Sequence, residues 1–147
     1  MKRLMIAMIS ALMVTACSGK RPTNLGVRAG GLVPCPGSPN CVVSNADDPD
    51  HFIAPISYAC DPAKAFQVLK EILMHMERTK IVDETPAYIR LECKTSVFGF
   101  VDDVEFFFSD DSLIHMRSAS RMGYSDLGVN RRRLETIRSL FEAEIKF

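Results

Sequence analysis

The chain is 147 residues long and carries 18 lysines and arginines against 18 aspartates and glutamates. A formal charge of zero gives no electrostatic case for nucleic acid as a partner. The length suits one compact domain with a core of its own.

At the N-terminus, Lys2 and Arg3 precede an apolar run from Leu4 to Val14. A membrane span needs about 20 apolar residues, so this run is too short to be one. A basic start, a short apolar stretch and small residues before a cut describe a secretory signal peptide over residues 1–16. The stretch Val14-Thr15-Ala16-Cys17 resembles the lipobox of bacterial lipoproteins, in which the cysteine is acylated and becomes the first residue of the mature chain. By that resemblance Cys17 carries a lipid anchor and the membrane is a partner. Ser18 stands where an aspartate would signal inner-membrane retention, which implies the outer membrane of a bacterial envelope, facing the periplasm. Loss of Lys2 and Arg3 leaves 16 basic against 18 acidic side chains, a balance of −2. No later apolar stretch is long enough to cross a membrane.

Residues 17–50 are rich in proline, glycine, asparagine and serine without a clear period, and read as a lipidated tether followed by a loop layer. Cys35 and Cys41 bracket Pro36-Gly37-Ser38-Pro39-Asn40, a turn-forming segment that brings the two sulfurs together. Zinc sites pair cysteines two to four residues apart, so in an oxidising compartment this spacing predicts a disulfide instead. Cys60 and Cys93 are left over, and Cys93 continues the apolar alternation of Ile89 and Leu91 as a buried thiol would.

The globular part spans residues 51–147. His51 to Tyr58 is predicted as a first strand, at a sheet edge because of Pro55. Asp61 and Pro62 start a helix over 62–77, with Phe66, Leu69, Leu73 and Met76 as its apolar stripe. From Thr79 the period changes to strands at 80–83, 88–94, 98–108 and 113–120. A last helix runs from Arg131 to Ile145, capped by Asn130, with Leu134, Ile137, Phe141 and Ile145 on one face. The order β-α-β-β-β-β-α predicts an α+β two-layer sandwich: an antiparallel sheet of four to five strands with both helices on one face. That order resembles the helix-and-curved-sheet folds of the TATA-binding-protein-like class, which carries no functional implication.

Three runs stand out for chemistry: Gly99-Phe100-Val101-Asp102-Asp103-Val104-Glu105-Phe106, Arg117-Ser118-Ala119-Ser120-Arg121, and Gly123 through Arg133. Together with the Cys35–Cys41 segment they resemble the uncharacterised family numbered 1499 among the domains of unknown function, over about residues 24–140. That resemblance implies no activity; many members of the family are exported or membrane-associated.

Putting the apolar positions on one face pairs Phe108 with Ile114 and Phe106 with Met116. Asp103, Glu105, His115 and Arg117 then share the opposite face, and Asp102 falls on the core side near Ser118 and Ser120. In one reading Asp102, Asp103, Glu105, Arg117, Arg121, Asn130 and Arg131 bind an anionic ligand or a protein partner. In the other, the acids and arginines form a cross-strand ladder on a solvated face. Arg131, Arg132 and Arg133 oppose the helix dipole, so acids in the fold or an external anion must offset them. Consecutive helical residues diverge by about 100°, so the three cannot converge on one anion.

No catalytic, cofactor or metal motif appears, and His51, His75 and His115 lack ligand spacing. The expectation is a non-enzymatic binding or scaffolding module of the envelope. The alternatives are a hydrolase-like enzyme using Asp102 and Asp103 with arginines, and a carrier of an apolar molecule in a phenylalanine-lined cavity.

Overall fold

The computed structural model describes residues 19–96 and 98–146, so the signal segment and Cys17 lie outside the described residues. In chain order the elements are β1 (Val27–Arg28), β2 (Gly31–Leu32), β3 (Cys41–Val43), β4 (Ile56–Ser57) and α1 (Pro62–Met74), then β5 (Thr79–Thr85), β6 (Tyr88–Lys94), β7 (Val101–Phe108), β8 (Leu113–Ser120) and α2 (Val129–Glu144). The main sheet has the order β3-β8-β7-β6-β5, with β4 on the same edge of β8 as β3, and β1 pairs β2 separately. This is the expected α+β architecture, with six strands in the main sheet.

The register follows from hydrophobic alternation: Phe106 lies opposite Met116 and Phe108 opposite Ile114. One face of the sheet buries Ile89, Leu91, Val104, Phe106, Ile114 and Met116. Against it α1 sets Phe66, Leu69 and Leu73, and α2 sets Leu134, Ile137 and Phe141. Asp61 caps α1 as its position before Pro62 predicts, its carboxylate accepting the amides of Ala63 and Lys64. The helix stops at Met74 rather than residue 77. Arg78 turns at φ +56, and the Thr79 hydroxyl takes the carbonyls of Leu73 and Met76.

Two predicted strands change, and one strand of the main sheet is new. The long aromatic strand begins at Val101, not Phe98, because Gly99 adopts φ +64 and Thr95 closes a turn to Phe100 through backbone and hydroxyl. Phe98 therefore stacks on Phe100 outside the core, with ring centroids 5.4 Å apart, and the phenylalanine row predicted over 98–108 is broken before Val101. The predicted first strand shrinks to Ile56–Ser57, and the edge beside it is taken by β3, whose three residues are all buried and so show no alternation to read.

Cys35 and Cys41 form a disulfide with Cα atoms 5.7 Å apart, tying the loop layer to β3 and thus to β8. Replacing both with serine should lower the unfolding free energy by about 2 kcal/mol in the chain-entropy model. Urea denaturation with and without reductant reads this, and a double variant as stable as the oxidised parent would disprove it.

Candidate functional site

Adjacent residues of a strand point to opposite faces, so Asp102 and Asp103 of β7 enter separate environments. Asp103 and Glu105 point away from the helices. The expectation of a solvated face is corrected here: Asp103 is 1%, Glu105 0% and Arg117 2% exposed. The reason is the segment read from sequence as a tether followed by a loop layer. Its residues 19–32 lie over this face: the Gly26 amide donates to Glu105 Oε1 at 2.6 Å, and Leu32 is buried there.

A buried ion that loses its water must find partners. On this face each does. Arg117 Nη1 donates to Glu105 Oε2 at 2.9 Å, and the Tyr88 hydroxyl donates to Oε1 at 2.8 Å. Arg90 bridges Asp103 at 3.0 Å and Asp83 at 2.9 Å. Arg121 closes on Asp103 through Nε at 2.8 Å and Nη2 at 2.9 Å, and also reaches Glu92. Arg21, from the overlying segment, donates to Asp83 at 2.9 Å. Arg21, Arg90, Arg117 and Arg121 thus face Asp83, Glu92, Asp103 and Glu105, and the network is neutral in itself. The Nε of Arg117 is the buried side-chain atom among the described residues with no hydrogen-bond partner, so its pair with Glu105 is made through one nitrogen.

Two proton affinities register this setting. Burial, and then the Glu105 carboxylate, push the Tyr88 hydroxyl above its usual range, so it acts as a hydrogen-bond donor. The hydrogen bond to Asp103 pushes Arg121 higher still than an ordinary guanidinium. Sequence reading missed Arg90. Its signal was available: it occupies the same face of β6 as Tyr88 and Glu92, directly across from Glu105.

Asp102 lies on the helix side, across from Ser120 as the register predicts. Its partner is Arg133 of α2, Nη2 to Oδ2 at 2.6 Å. Arg133 also donates to Asn130 Oδ1 at 2.8 Å, and the Asn130 amide holds the carbonyl of Asn40 and the hydroxyl of Ser120, each at 3.0 Å. Asn130 is therefore not the helix cap, which is a correction. It is buried inside the helix and locks α2 to β8 and to the residue before Cys41. The N-cap position is Gly128, which makes the entry at φ +77 and has no side chain to cap with; Asp126, two residues earlier, accepts the amides of Gly128 and Asn130 on its carboxylate. The three arginines diverge as helical geometry demands. Arg131 donates to the carbonyls of Phe52 and Asp50, Arg132 to that of Leu127, and Arg133 to Asp102. The structure therefore brings Asp103, Glu105, Arg117 and Arg121 into one network, Asp102 and Asn130 into another, and sets Arg131 apart.

His51 joins the loop layer to the Asp48 turn. Its Nδ1 lies 2.8 Å from Asp48 Oδ1 and its Nε2 3.1 Å from the Ser38 carbonyl, so both nitrogens face acceptors. The Ser38 carbonyl first, then Asp48, raise its pKa above the ordinary 6.5. Its contribution is full below that ordinary value and is lost as pH rises through the raised one. The stability advantage of the wild type over His51→Gln should shrink in urea melts as the pH rises above about 6.5; a difference that stays constant on the alkaline side would refute it.

Cys93 is buried and its thiol is pushed up to about 11, which removes it as a nucleophile near neutrality. Among the described residues no group of His, Cys, Asp and Glu is arranged to hold a metal ion, and no helix is long and apolar enough to cross a membrane.

A family model described as "Protein of unknown function (DUF1499)" matches residues 31–141. The chain belongs to that family. The DUF1499 span runs from β2 to Phe141 of α2 and takes in the disulfide and the core of both charge networks, whereas Arg21 and Gly26 precede it. Comparison with curated proteins and with solved structures finds no match.

Proposed function

We propose that this chain is a lipid-anchored, non-enzymatic scaffolding or binding module of the bacterial envelope, which offers its outer surface to a protein partner. One observation carries this reading: the guanidiniums of Arg90, Arg117, Arg121 and Arg133 are spent on acids of the same fold. A site built for an external anion would hold cationic donors in reserve. The enzymatic alternative needs Asp102 and Asp103 to act together, and they face opposite sides of the sheet. The anchor reading rests on Val14-Thr15-Ala16-Cys17 after the short apolar run.

Two measurements on the full chain test the proposal. Metabolic labelling with a fatty acid should mark the wild type and not Cys17→Ala. The melting temperature should stay flat across phosphate, phosphorylated and carboxylated small molecules, because binding adds about RT ln(1 + [L]/Kd) to stability. Persistent labelling of the variant would remove the anchor. An anion-dependent rise lost in the Arg121→Ala, Arg131→Ala double variant would restore anion binding.

A further inference from the structure

The turn between β8 and α2 presents three large apolar side chains to solvent: Met122 is 43%, Tyr124 74% and Leu127 84% exposed. Nothing within the fold calls for this. Leu127 even sits at φ +53, a left-handed conformation that suits glycine or asparagine better than leucine. The turn is nevertheless held in one shape. Asn40 donates to the Gly123 carbonyl at 2.6 Å, Asp126 accepts two backbone amides, and Arg132 donates to the Leu127 carbonyl at 2.8 Å. The apolar side chains are thus carried outward on a fixed loop.

The position of this loop in the chain's path indicates what covers it. Gly19 packs on it: a methyl group added there would stand 3.1 Å from Cβ of Arg121 and 3.2 Å from Cγ of Met122. Cys17 is two residues upstream, and two residues of chain span at most about 7 Å. On the anchor reading, acyl chains on Cys17 would therefore start within about 7 Å of Gly19. The surroundings suit an anionic bilayer: Lys20 and Arg132 are exposed, while the Asp126 carboxylate is occupied by backbone amides. A tyrosine, with an apolar ring and a polar tip, fits the headgroup region.

We infer that Met122, Tyr124 and Leu127 form a membrane-docking loop, which inserts into the phospholipid surface beside the acyl chains on Cys17 and seats the domain on it in one orientation. This inference rests on the anchor reading and adds to it that the domain lies on the bilayer instead of hanging from a free tether.

The chain contains no tryptophan, so a single one reports its own surroundings. Full-length Tyr124→Trp and Asp110→Trp are made in a Gram-negative host, and Cys17 acylation is verified by mass spectrometry. Each is reconstituted on vesicles of phosphatidylethanolamine and phosphatidylglycerol containing a bromine-labelled phosphatidylcholine. Asp110 lies in the turn at the far end of the eight-residue β8 and serves as the distal control. The expected result is a blue shift and bromine quenching at position 124 and neither at position 110. Acylated protein bound to vesicles with an unquenched, solvent-like position 124 overturns docking and leaves the anchor standing. A blue shift without bromine quenching assigns the loop to a protein contact, a partner or a second copy, and overturns docking too. Unacylated Cys17 overturns the anchor and the docking together.

Discussion

Glu105→Ala should destabilise the domain by about 3–5 kcal/mol, the usual cost of leaving one partner of a buried ion pair unpaired. Glu105 is fully buried at the centre of the sheet and neutralises Arg117 while accepting the Tyr88 hydroxyl and the Gly26 amide. Its removal strands a guanidinium whose Nε already lacks a partner. The overlying segment should loosen as well, because Gly26 loses its acceptor. The double change Glu105→Leu, Arg117→Met should recover much of the loss, since an apolar pair of similar volume is often as stable as a buried ion pair. Chemical denaturation of the three proteins decides the matter. A double variant as unstable as Glu105→Ala would mean that the pair is needed for its charge and not merely matched within the fold.

Asp102→Ala should cost about 2–3 kcal/mol, within the range of charge-assisted hydrogen bonds, because Arg133 is 12% exposed and regains some water. The loss should concentrate where α2 meets β8. Hydrogen exchange should therefore speed up in Asn130 to Leu134 more than in β6. A double-mutant cycle between Asp102 and Arg133 should show strong coupling, and one between Asp102 and Asp103 little, since the two acids share no partner across the sheet. Strong coupling between the neighbouring acids would contradict their separation and revive a shared site.

Both expectations depend on features that differ in how legible they were. The helix side of the sheet could be read directly. Alternation in β6, β7 and β8 specifies which residues are apolar, a shift of one residue would turn them all outward, and so the pairing of Phe106 with Met116 follows from the sequence. The Asp61-Pro62 helix start and the Cys35–Cys41 disulfide are equally local, each decided by a few adjacent residues. The family, too, was visible in its motifs.

The tertiary structure decided the rest, and the common reason is distance along the chain. Gly26 meets Glu105 79 positions away, and Asn130 meets Asn40 90 positions away. No periodicity in residues 19–32 announces that they cover the second face, because a layer without regular secondary structure has no period to detect. Without that cover, Asp103, Glu105 and Arg117 read as a solvated ladder; beneath it, they become a buried, neutral network joined by Arg90. The same limit explains Asn130 and Asp126. Asn130 suits a cap by residue type, but its burial against β8 places it inside the helix, and the cap position falls to Gly128 with Asp126 accepting the free amides. The sequence by itself thus determined the strand faces, the start of the first helix, the disulfide and the family. Only the folded chain determined which charges are paired, which face is covered, and which apolar side chains of the 122–127 turn are left exposed.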